Sequence, residues 1–259
     1  MRDGETGRRA FLGGTVAVLG AIGLAGCLGD ETSESDGTAI GTETAADTST
    51  AEPTQTPAET AESTPTEPRD VLFEAPHGAT VEATAYGSGD CGVALVPQIN
   101  LDRESWRPLA ERIAERGRLA LAVDEDPENR AASVRGAVRY LREQAGVSTL
   151  VLVGASSGGE AVLRANATTE FAVDGTVTLS AAGGTDRAAD LQGRTLFVVS
   201  TGDDDRFVRT ARRLHEEAPD PAELVEYDGS AHGQAILDSA HGDDLRRRMR
   251  RFIADACGE

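Results

Sequence analysis

Residues 69–259 are predicted to form a three-layer α/β domain, a mostly parallel sheet with helices on both faces. Two observations support this prediction. Short runs rich in β-branched residues lie at 81–86, 93–96, 119–123, 149–153, 176–179, 195–199 and 223–227. From residue 93 onward these runs alternate with helix-like segments, and strands that alternate with helices form the βαβ units of a parallel sheet.

The helices are predicted from apolar residues at spacings of three and four. The segment 104–116 places Trp106, Leu109 and Ile113 on one face, with Arg and Glu residues on the other. The same spacing of Val134, Val138 and Leu141 predicts a second helix. Further helices are predicted at 157–165, 206–217 and 233–254. In such a fold the functional groups are expected in loops at the carboxyl ends of the strands.

The charge of the chain excludes several classes of partner. There are 44 Asp and Glu residues against 25 basic residues, a formal net charge of -19. Such a chain repels nucleic acid phosphates and anionic membrane surfaces, so we expect no nucleic acid partner. All 25 basic residues are Arg, and this composition is typical both of salt adaptation and of a GC-rich genome.

The amino terminus has the pattern of an export signal. Arg8 and Arg9 precede an uncharged, Gly-rich apolar run at 10–26, which is shorter than the ~20 apolar residues of a membrane span. The pair fits a twin-arginine signal. Residues 24–27 read Leu-Ala-Gly-Cys and resemble a lipoprotein lipobox, which implies lipidation at Cys27. The alternative is an uncleaved membrane anchor, and in either case the domain is expected outside the cytoplasm and tethered to the membrane.

Residues 28–68 have the composition of a linker. They contain 11 Thr, 4 Ser, 10 acidic residues, 4 Pro and no basic residue. Low hydrophobicity and like charge predict a disordered stalk that holds the domain away from the membrane surface.

A candidate nucleophile follows the predicted strand at 149–153. Residues 154–158 read Gly-Ala-Ser-Ser-Gly and precede a predicted helix, which is the strand, G-x-S-x-G, helix context of a nucleophile elbow. The nucleophile would be Ser156, and the backbone N–H of Ser157 would stabilise the developing oxyanion. The alternative interpretation is a phosphate-binding loop or a plain turn.

Two further predicted strands are followed by candidates for the remaining members of a catalytic triad. Asp203, Asp204 and Asp205 follow the strand at 195–199, and His232 follows the strand at 223–227. The chain order is therefore Ser, Asp, His. Because each group follows a separate parallel strand, we expect the three side chains to converge on one edge of the sheet.

Over residues 81–254 these motifs resemble the α/β-hydrolase family, in its compact, lidless dienelactone hydrolase-like or small esterase type. The resemblance implies Ser156 as nucleophile, His232 as base and Asp205 as acid, because the family's G-x-x-D-x-x-V spacing fits Gly202, Asp205 and Val208. Asp203 and Asp204 remain alternatives. The resemblance also implies hydrolysis of carboxylic esters without a cofactor. Residues 180–194 leave no room for a cap domain, so we expect an open, shallow site that favours small esters. A peptidase or thioesterase would use the same triad.

The second oxyanion donor departs from the family pattern. Members commonly have His-Gly after the third strand, whereas here Val96 is followed by Pro97 and Gln98. Pro97 has no N–H, so the donor would be Ile99 or Gln98. This departure motivates a rival hypothesis, a hydrolase-like fold kept as a non-catalytic binding or cell-surface module.

The other histidines and the acidic turn after residue 123 are assigned structural roles. We expect His77, His215 and His241 to be exposed or structural, with His241 as the reserve base. No H-x-x-H or similar spacing occurs, so no metal site is predicted. The acidic residues 124–126 are expected to form a solvated turn, although they could line the rim of the site.

Two cysteines remain once Cys27 is assigned to the lipid. In an oxidising compartment Cys91, before a central strand, and Cys257, at the end of the last helix, could form a disulfide at the edge away from the site. Free thiols are the alternative. Asn166-Ala167-Thr168 is a weak match to an N-glycosylation sequon.

Overall fold

The computed structural model describes residues 67–258. The predictions made for Arg8, Arg9 and Cys27, and for nearly all of the acidic linker, lie outside the described residues. Within the described part, no helix combines the length and the apolar character needed to cross a membrane.

Eight strands form a single sheet in the order β1-β2-β4-β3-β5-β6-β7-β8. Their bounds are β1 Arg69–Glu74, β2 Thr80–Tyr86, β3 Cys91–Val96, β4 Leu119–Asp124, β5 Thr149–Ala155, β6 Gly175–Leu179, β7 Arg194–Ser200 and β8 Ala222–Tyr227. Strand β2 is antiparallel to β1 and β4, and all the strands from β3 to β8 are parallel. The predicted mostly parallel sheet is confirmed.

The edge strand β1 was not predicted from the sequence. Of its six residues only Phe73 is buried, so it lacks the apolar run that identifies the central strands. It pairs with β2 through backbone hydrogen bonds, with Arg69 opposite Ala85.

Five α-helices cover the two faces of the sheet. Their bounds are α1 Arg107–Ala114, α2 Arg130–Arg139, α3 Ser156–Asn166, α4 Asp205–Glu217 and α5 Gly242–Cys257. Helices α1 and α5 pack on one face, where Trp106, Leu245, Met249 and Phe252 share a core with β3 and β5. Helices α2 and α3 pack together on the other face, and α4 lies over β7 and β8. The three-layer arrangement agrees with the prediction.

The single helix predicted at 233–254 is wrong. Residues Gly233–Asp238 form a short 3-10 helix, and α5 begins only at Gly242. The helix breaks at Ser239, whose backbone is extended and whose Oγ accepts a hydrogen bond from the His241 N–H at 3.1 Å. The chain turns so tightly there that a Cβ on Gly242 would lie 1.9 Å from the carbonyl oxygen of Leu237.

The strand order creates a crevice beside β3. Strand β3 lies between β4 and β5, so the connection through α1 and the connection through α2 run in opposite directions across the sheet. The carboxyl ends of β3 and β5 flank this switch point, where open α/β sheets bind ligands. The connection between β6 and β7 holds only a 3-10 helix at Thr185–Asp190, and no cap covers this edge within the described residues.

At the opposite edge, Cys91 and Cys257 form a disulfide with their Cα atoms 5.8 Å apart. It joins the start of β3 to the end of α5 and closes a loop across a sequence separation of 166 residues, which stabilises the fold by restricting the unfolded chain.

Asn166 is fully buried. Its amide donates to Thr176 Oγ1 at 2.9 Å and its side-chain oxygen accepts from the Gln192 N–H. This asparagine is a structural residue in the folded domain.

Candidate active site

Strained backbone marks the carboxyl edge of the sheet. Within residues 67–258, the non-glycine residues with left-handed φ are Asn100 at 68°, Ser156 at 48° and Ser180 at 50°. Ser156 directly follows β5, Ser180 directly follows β6, and Asn100 lies in the loop after β3. A left-handed residue other than glycine costs roughly 1–2 kcal/mol, and such strain clusters at functional sites.

The turn at Ser156 is held by close backbone packing. A Cβ on Gly154 would lie 2.4 Å from the carbonyl oxygen of Gly158, and a Cβ on Gly158 would lie 2.3 Å from that of Pro97. The Ser156 carbonyl accepts a hydrogen bond from the Ala182 N–H at 3.0 Å. The glycines of the G-x-S-x-G motif are therefore required so that β5, α3 and the loop after β3 can approach one another.

Ser156, His232 and Asp203 form one hydrogen-bonded chain. His232 Nε2 lies 2.8 Å from Ser156 Oγ, and His232 Nδ1 lies 2.8 Å from Asp203 Oδ2. The Asp203 side chain is 6% exposed and that of His232 29%. The Phe207 ring packs against the imidazole with ring centroids 4.2 Å apart. The histidine is thus held on both nitrogens and on one ring face.

The prediction that Asp205 is the partner of His232 is wrong. Asp205 is the first residue of α4, its side chain is 90% exposed, and it pairs with Arg209 one helical turn later. Asp204 caps the helix by accepting a hydrogen bond from the Arg206 N–H at 2.9 Å. Asp203, which precedes the helix, is left to face His232.

The start of α4 explains why Asp203, rather than Asp205, faces His232. Asp is a favoured N-cap residue, and the apolar stripe of α4 begins at Phe207 and Val208. If Asp204 is the N-cap, Asp205 lies in the first turn of the helix, which leaves Asp203 in the loop. The family spacing pointed instead to a residue that belongs to the helix.

Two hydrogen bonds fix the positions of His232 and Asp203. Ser200 Oγ donates to the Ala231 carbonyl at 2.7 Å, next to His232. The second carboxylate oxygen of Asp203 accepts from the Asp204 N–H at 2.8 Å. Both oxygens of Asp203 are therefore engaged, which fixes its orientation toward the imidazole.

The two predicted oxyanion donors after β3 have different partners. The Ile99 N–H donates to Ser157 Oγ at 2.8 Å, which brings the loop after β3 to the start of α3. The Gln98 N–H donates to Gln234 Oε1 at 3.2 Å. The Ser157 N–H lies in the first turn of α3, where backbone N–H groups have no acceptor within the helix.

Gln234 is a residue of the site that the sequence did not reveal. Its backbone N–H donates to Gln98 Oε1 at 2.9 Å, so the two glutamines bind each other's backbone, and its Nε2 donates to Ser105 Oγ at 3.0 Å. Gly233 provides the space, because a Cβ there would lie 2.3 Å from Gln98 Oε1. The two glutamines are 136 residues apart, and no local pattern predicts such a pair.

The acidic turn after β4 is more structured than expected. Asp124 accepts a hydrogen bond from the Arg103 N–H at 2.7 Å, and Asp126 lies 2.9 Å from His77 Nε2. Glu125 is only 8% exposed and lies 3.3 Å from Arg130 Nε. The expectation of a solvated turn is therefore wrong for Glu125.

The environment of Glu125 changes its acidity. Burial raises the pKa of Glu125 from 4.5 to about 7, against the opposing effect of Arg130. The carboxyl and Arg130 line a recess of about 280 Å³ together with residues 98–101 of the loop after β3.

Within the described residues, no group of three or more His, Cys, Asp or Glu side chains is placed to hold a metal ion.

Comparison with solved structures identifies the architecture. An esterase from Pyrococcus furiosus matches with a TM-score of 0.63 at 12% identity, over 73% of this chain and 91% of that one. The chain has the α/β-hydrolase fold. A dienelactone hydrolase from Anabaena variabilis matches with a TM-score of 0.63 at 16% identity, over 73% and 99% of the two chains.

A third solved structure agrees with this fold, whereas comparison of the sequence with family models and curated proteins finds no match. An esterase domain of a Rhodothermus marinus protein matches with a TM-score of 0.57 at 18% identity, over 72% of this chain and all of that one. No protein-family model matches the sequence, and no curated protein is significantly similar to it. At these identities the likeness is one of fold, so the activity must be argued from the site itself.

The raised pKa of Glu125 predicts a stability that depends on pH. The folded state keeps its proton up to a pH of about 7, whereas the unfolded chain loses it near 4.5, so stability should fall as the pH rises through this window. In urea unfolding between pH 4 and pH 8, wild type should lose about 3 kcal/mol relative to Glu125→Gln.

The matched control is Glu128→Gln, which removes an exposed carboxyl of the same loop. Its difference from wild type should stay within about 0.5 kcal/mol across the range. A Glu125→Gln difference that is equally flat would show that the carboxyl is solvated.

Proposed function

We propose that the protein is a serine hydrolase that acts on small carboxylic esters. The observation that supports this best is the hydrogen-bonded chain from Asp203 through His232 to Ser156, with 2.8 Å at each link. Ser156 combines that contact with a strained turn at the start of a helix. Both features are those of an activated nucleophile.

The mechanism follows from the chemistry of these groups. A neutral hydroxyl is a poor nucleophile, so His232 Nε2 takes the proton of Ser156 as Oγ attacks the ester carbonyl. The tetrahedral intermediate expels the alcohol, which receives that proton from the imidazolium. Water then attacks the acyl-enzyme with the same base, releasing the acid and restoring Ser156.

Asp203 acts on the histidine and has no contact with the reacting carbon. Its carboxylate accepts a hydrogen bond from Nδ1–H, which keeps the lone pair of Nε2 directed at Ser156 and stabilises the imidazolium. Because the Asp203 side chain is nearly buried, little water competes for this interaction.

The oxyanion donors in this proposal are the N–H groups of Ser157 and Ile99. In the structure the Ile99 N–H is occupied by Ser157 Oγ, so the substrate's carbonyl oxygen has to displace that hydroxyl. The Gln98 N–H is bound to the side chain of Gln234 and is not among the proposed donors. Gln98 holds the loop that carries Ile99.

An open site with an apolar rim suits small esters. Ile99 and Leu101 are exposed by 56% and 46%, and both belong to the loop beside Ser156. The connection between β6 and β7 is too short to enclose a long acyl chain. We propose further that lipidation at Cys27 tethers the domain to the outer face of the membrane, where it would meet substrates outside the cytoplasm.

A fluorophosphonate probe tests the proposal directly, because it reacts only with an activated serine. We expect stoichiometric labelling of the folded protein at Ser156, located by peptide mass spectrometry. Labelling should be lost in Ser156→Ala and reduced by at least about 10³-fold in rate in His232→Ala.

A matched control is His241→Ala, since His241 stacks on Tyr227 rather than on the triad. This variant should label at close to the wild-type rate. No adduct on a protein shown to be folded by circular dichroism would contradict the hydrolase proposal and favour a non-catalytic binding module.

Removing the Ser157 hydroxyl tests the occupied oxyanion donor. In Ser157→Ala the Ile99 N–H loses its side-chain acceptor, so the carbonyl oxygen of the substrate no longer has to displace a hydroxyl. The backbone N–H of residue 157 is retained. A hydrogen bond of this kind contributes about 0.5–1.5 kcal/mol, so kcat/KM should rise about 2- to 10-fold. A fall of 100-fold would show instead that the hydroxyl itself donates to the oxyanion.

A further inference from the structure

Helices α1 and α5 border a cleft of about 340 Å³ that is rich in arginine. Among residues 67–258, its charged lining consists of Arg112, Arg116, Arg118, Arg246, Arg247 and Arg250 and of two acids, Glu115 and Asp243. We call it the arginine cleft. Its local charge of +4 contrasts with the described domain, in which 22 Arg residues face 32 acidic residues.

Part of this positive charge is not neutralised by the protein. Arg246 pairs with Asp243 and Asp238, and Arg247 pairs with Asp244. In contrast, the side chains of Arg112 and Arg250 are exposed and have no ion-pair partner among residues 67–258. Two guanidinium groups, one on each helix, are therefore available to a ligand in the cleft.

The arginine cleft adjoins a groove that reaches the loop after β3, beside the candidate active site. A second cleft of about 330 Å³ shares Leu109, Arg112 and Arg246 with it. This groove is also lined by Gln98 and Leu101, which line the recess that contains Ile99 and Glu125 as well. A path therefore runs along α1, whose eight residues span roughly 12 Å, from the oxyanion loop to the arginines.

The lining of the path becomes more cationic toward the arginine cleft. Leu101, Trp106 and Leu237 form the apolar part of the lining nearer the active site, and the arginines line the far part. The nearer part also contains the polar side chains of Gln98, Ser105, Gln234 and Asp238. The planar guanidinium group binds carboxylate, phosphate or sulfate oxygens through two parallel hydrogen bonds. A ligand that matches this path has an apolar stem and a compact anionic end.

We propose that the arginine cleft is a substrate subsite, and that the preferred esters carry a carboxylate, phosphate or sulfate group at a distance from the ester bond. This inference rests on the proposed hydrolase function and extends its substrates beyond small esters, because the groove along α1, rather than the short connection between β6 and β7, would hold the longer stem. The acidic remainder of the domain repels extended polyanions, so selectivity is for a single localised anionic group.

Matched esters test the proposal. The probes are 4-nitrophenyl dodecanoates that end in a carboxylate, phosphate or sulfate group, with a methyl-ended ester as the neutral reference. Wild type should show a KM at least about 10-fold lower for one or more anionic esters, and the three arms identify the preferred group. Measurements belong at the lowest salt that keeps the protein folded, because salt screens such contacts.

The variant that removes the subsite is Arg112→Gln with Arg250→Gln. Its ratio of neutral to anionic KM should fall to about 1. The control is Arg139→Gln with Arg213→Gln, which removes the same charge from α2 and α4 and should keep the wild-type ratio. Equal ratios in both double variants, or no anionic preference in wild type, would overturn the proposal.

A binding measurement separates this proposal from the hydrolase proposal. Titration of 12-phosphonooxydodecanoate by calorimetry requires no turnover, and its affinity should fall at least about 10-fold in the Arg112→Gln, Arg250→Gln protein only. Fluorophosphonate labelling of Ser156 without this binding would contradict the subsite alone. Binding without labelling would contradict the hydrolase and, with it, the assignment of the cleft to a substrate.

Discussion

The left-handed turn at Ser156 is the constraint on which the rest of the site depends. It is possible only because Gly154 and Gly158 let β5, α3 and the loop after β3 pack backbone against backbone. That packing directs Ser156 Oγ toward His232 and brings the Ile99 N–H within reach of the same α3 terminus. The parallel sheet supplies the rigid frame that offsets the strain of the turn.

Most of the fold could be predicted from periodicity, and the exceptions have physical causes. Strand β1 is exposed on nearly every residue, so pairing with β2 rather than burial makes it a strand. The predicted helix at 233–254 is interrupted at Ser239, where the His241 N–H donates to the Ser239 side chain instead of to a carbonyl of a continuous helix. Short-range patterns do not reveal such tertiary and side-chain effects.

For the site, the order and context of the motifs along the chain pointed to Ser156 and His232, but the family spacing placed the acid at Asp205, two residues beyond the Asp203 that contacts His232. Adjacent carboxylates look alike in a sequence, and only the start of α4 assigns one to the helix cap and another to the imidazole. The Gln98 and Gln234 pair and the burial of Glu125 depend on segments distant in the chain, which no single-sequence pattern contains.

The measurement that tests the account most directly is the rate constant of ester hydrolysis in Asp203→Asn compared with Asp205→Asn. If Asp203 holds His232 in the productive tautomer, its replacement should lower kcat about 10³- to 10⁴-fold, as expected for a triad carboxylate. Asp205→Asn, which alters only an exposed first-turn residue, should stay within about 3-fold of wild type. Equal rates in the two variants, or a larger loss in Asp205→Asn, would contradict the proposed triad.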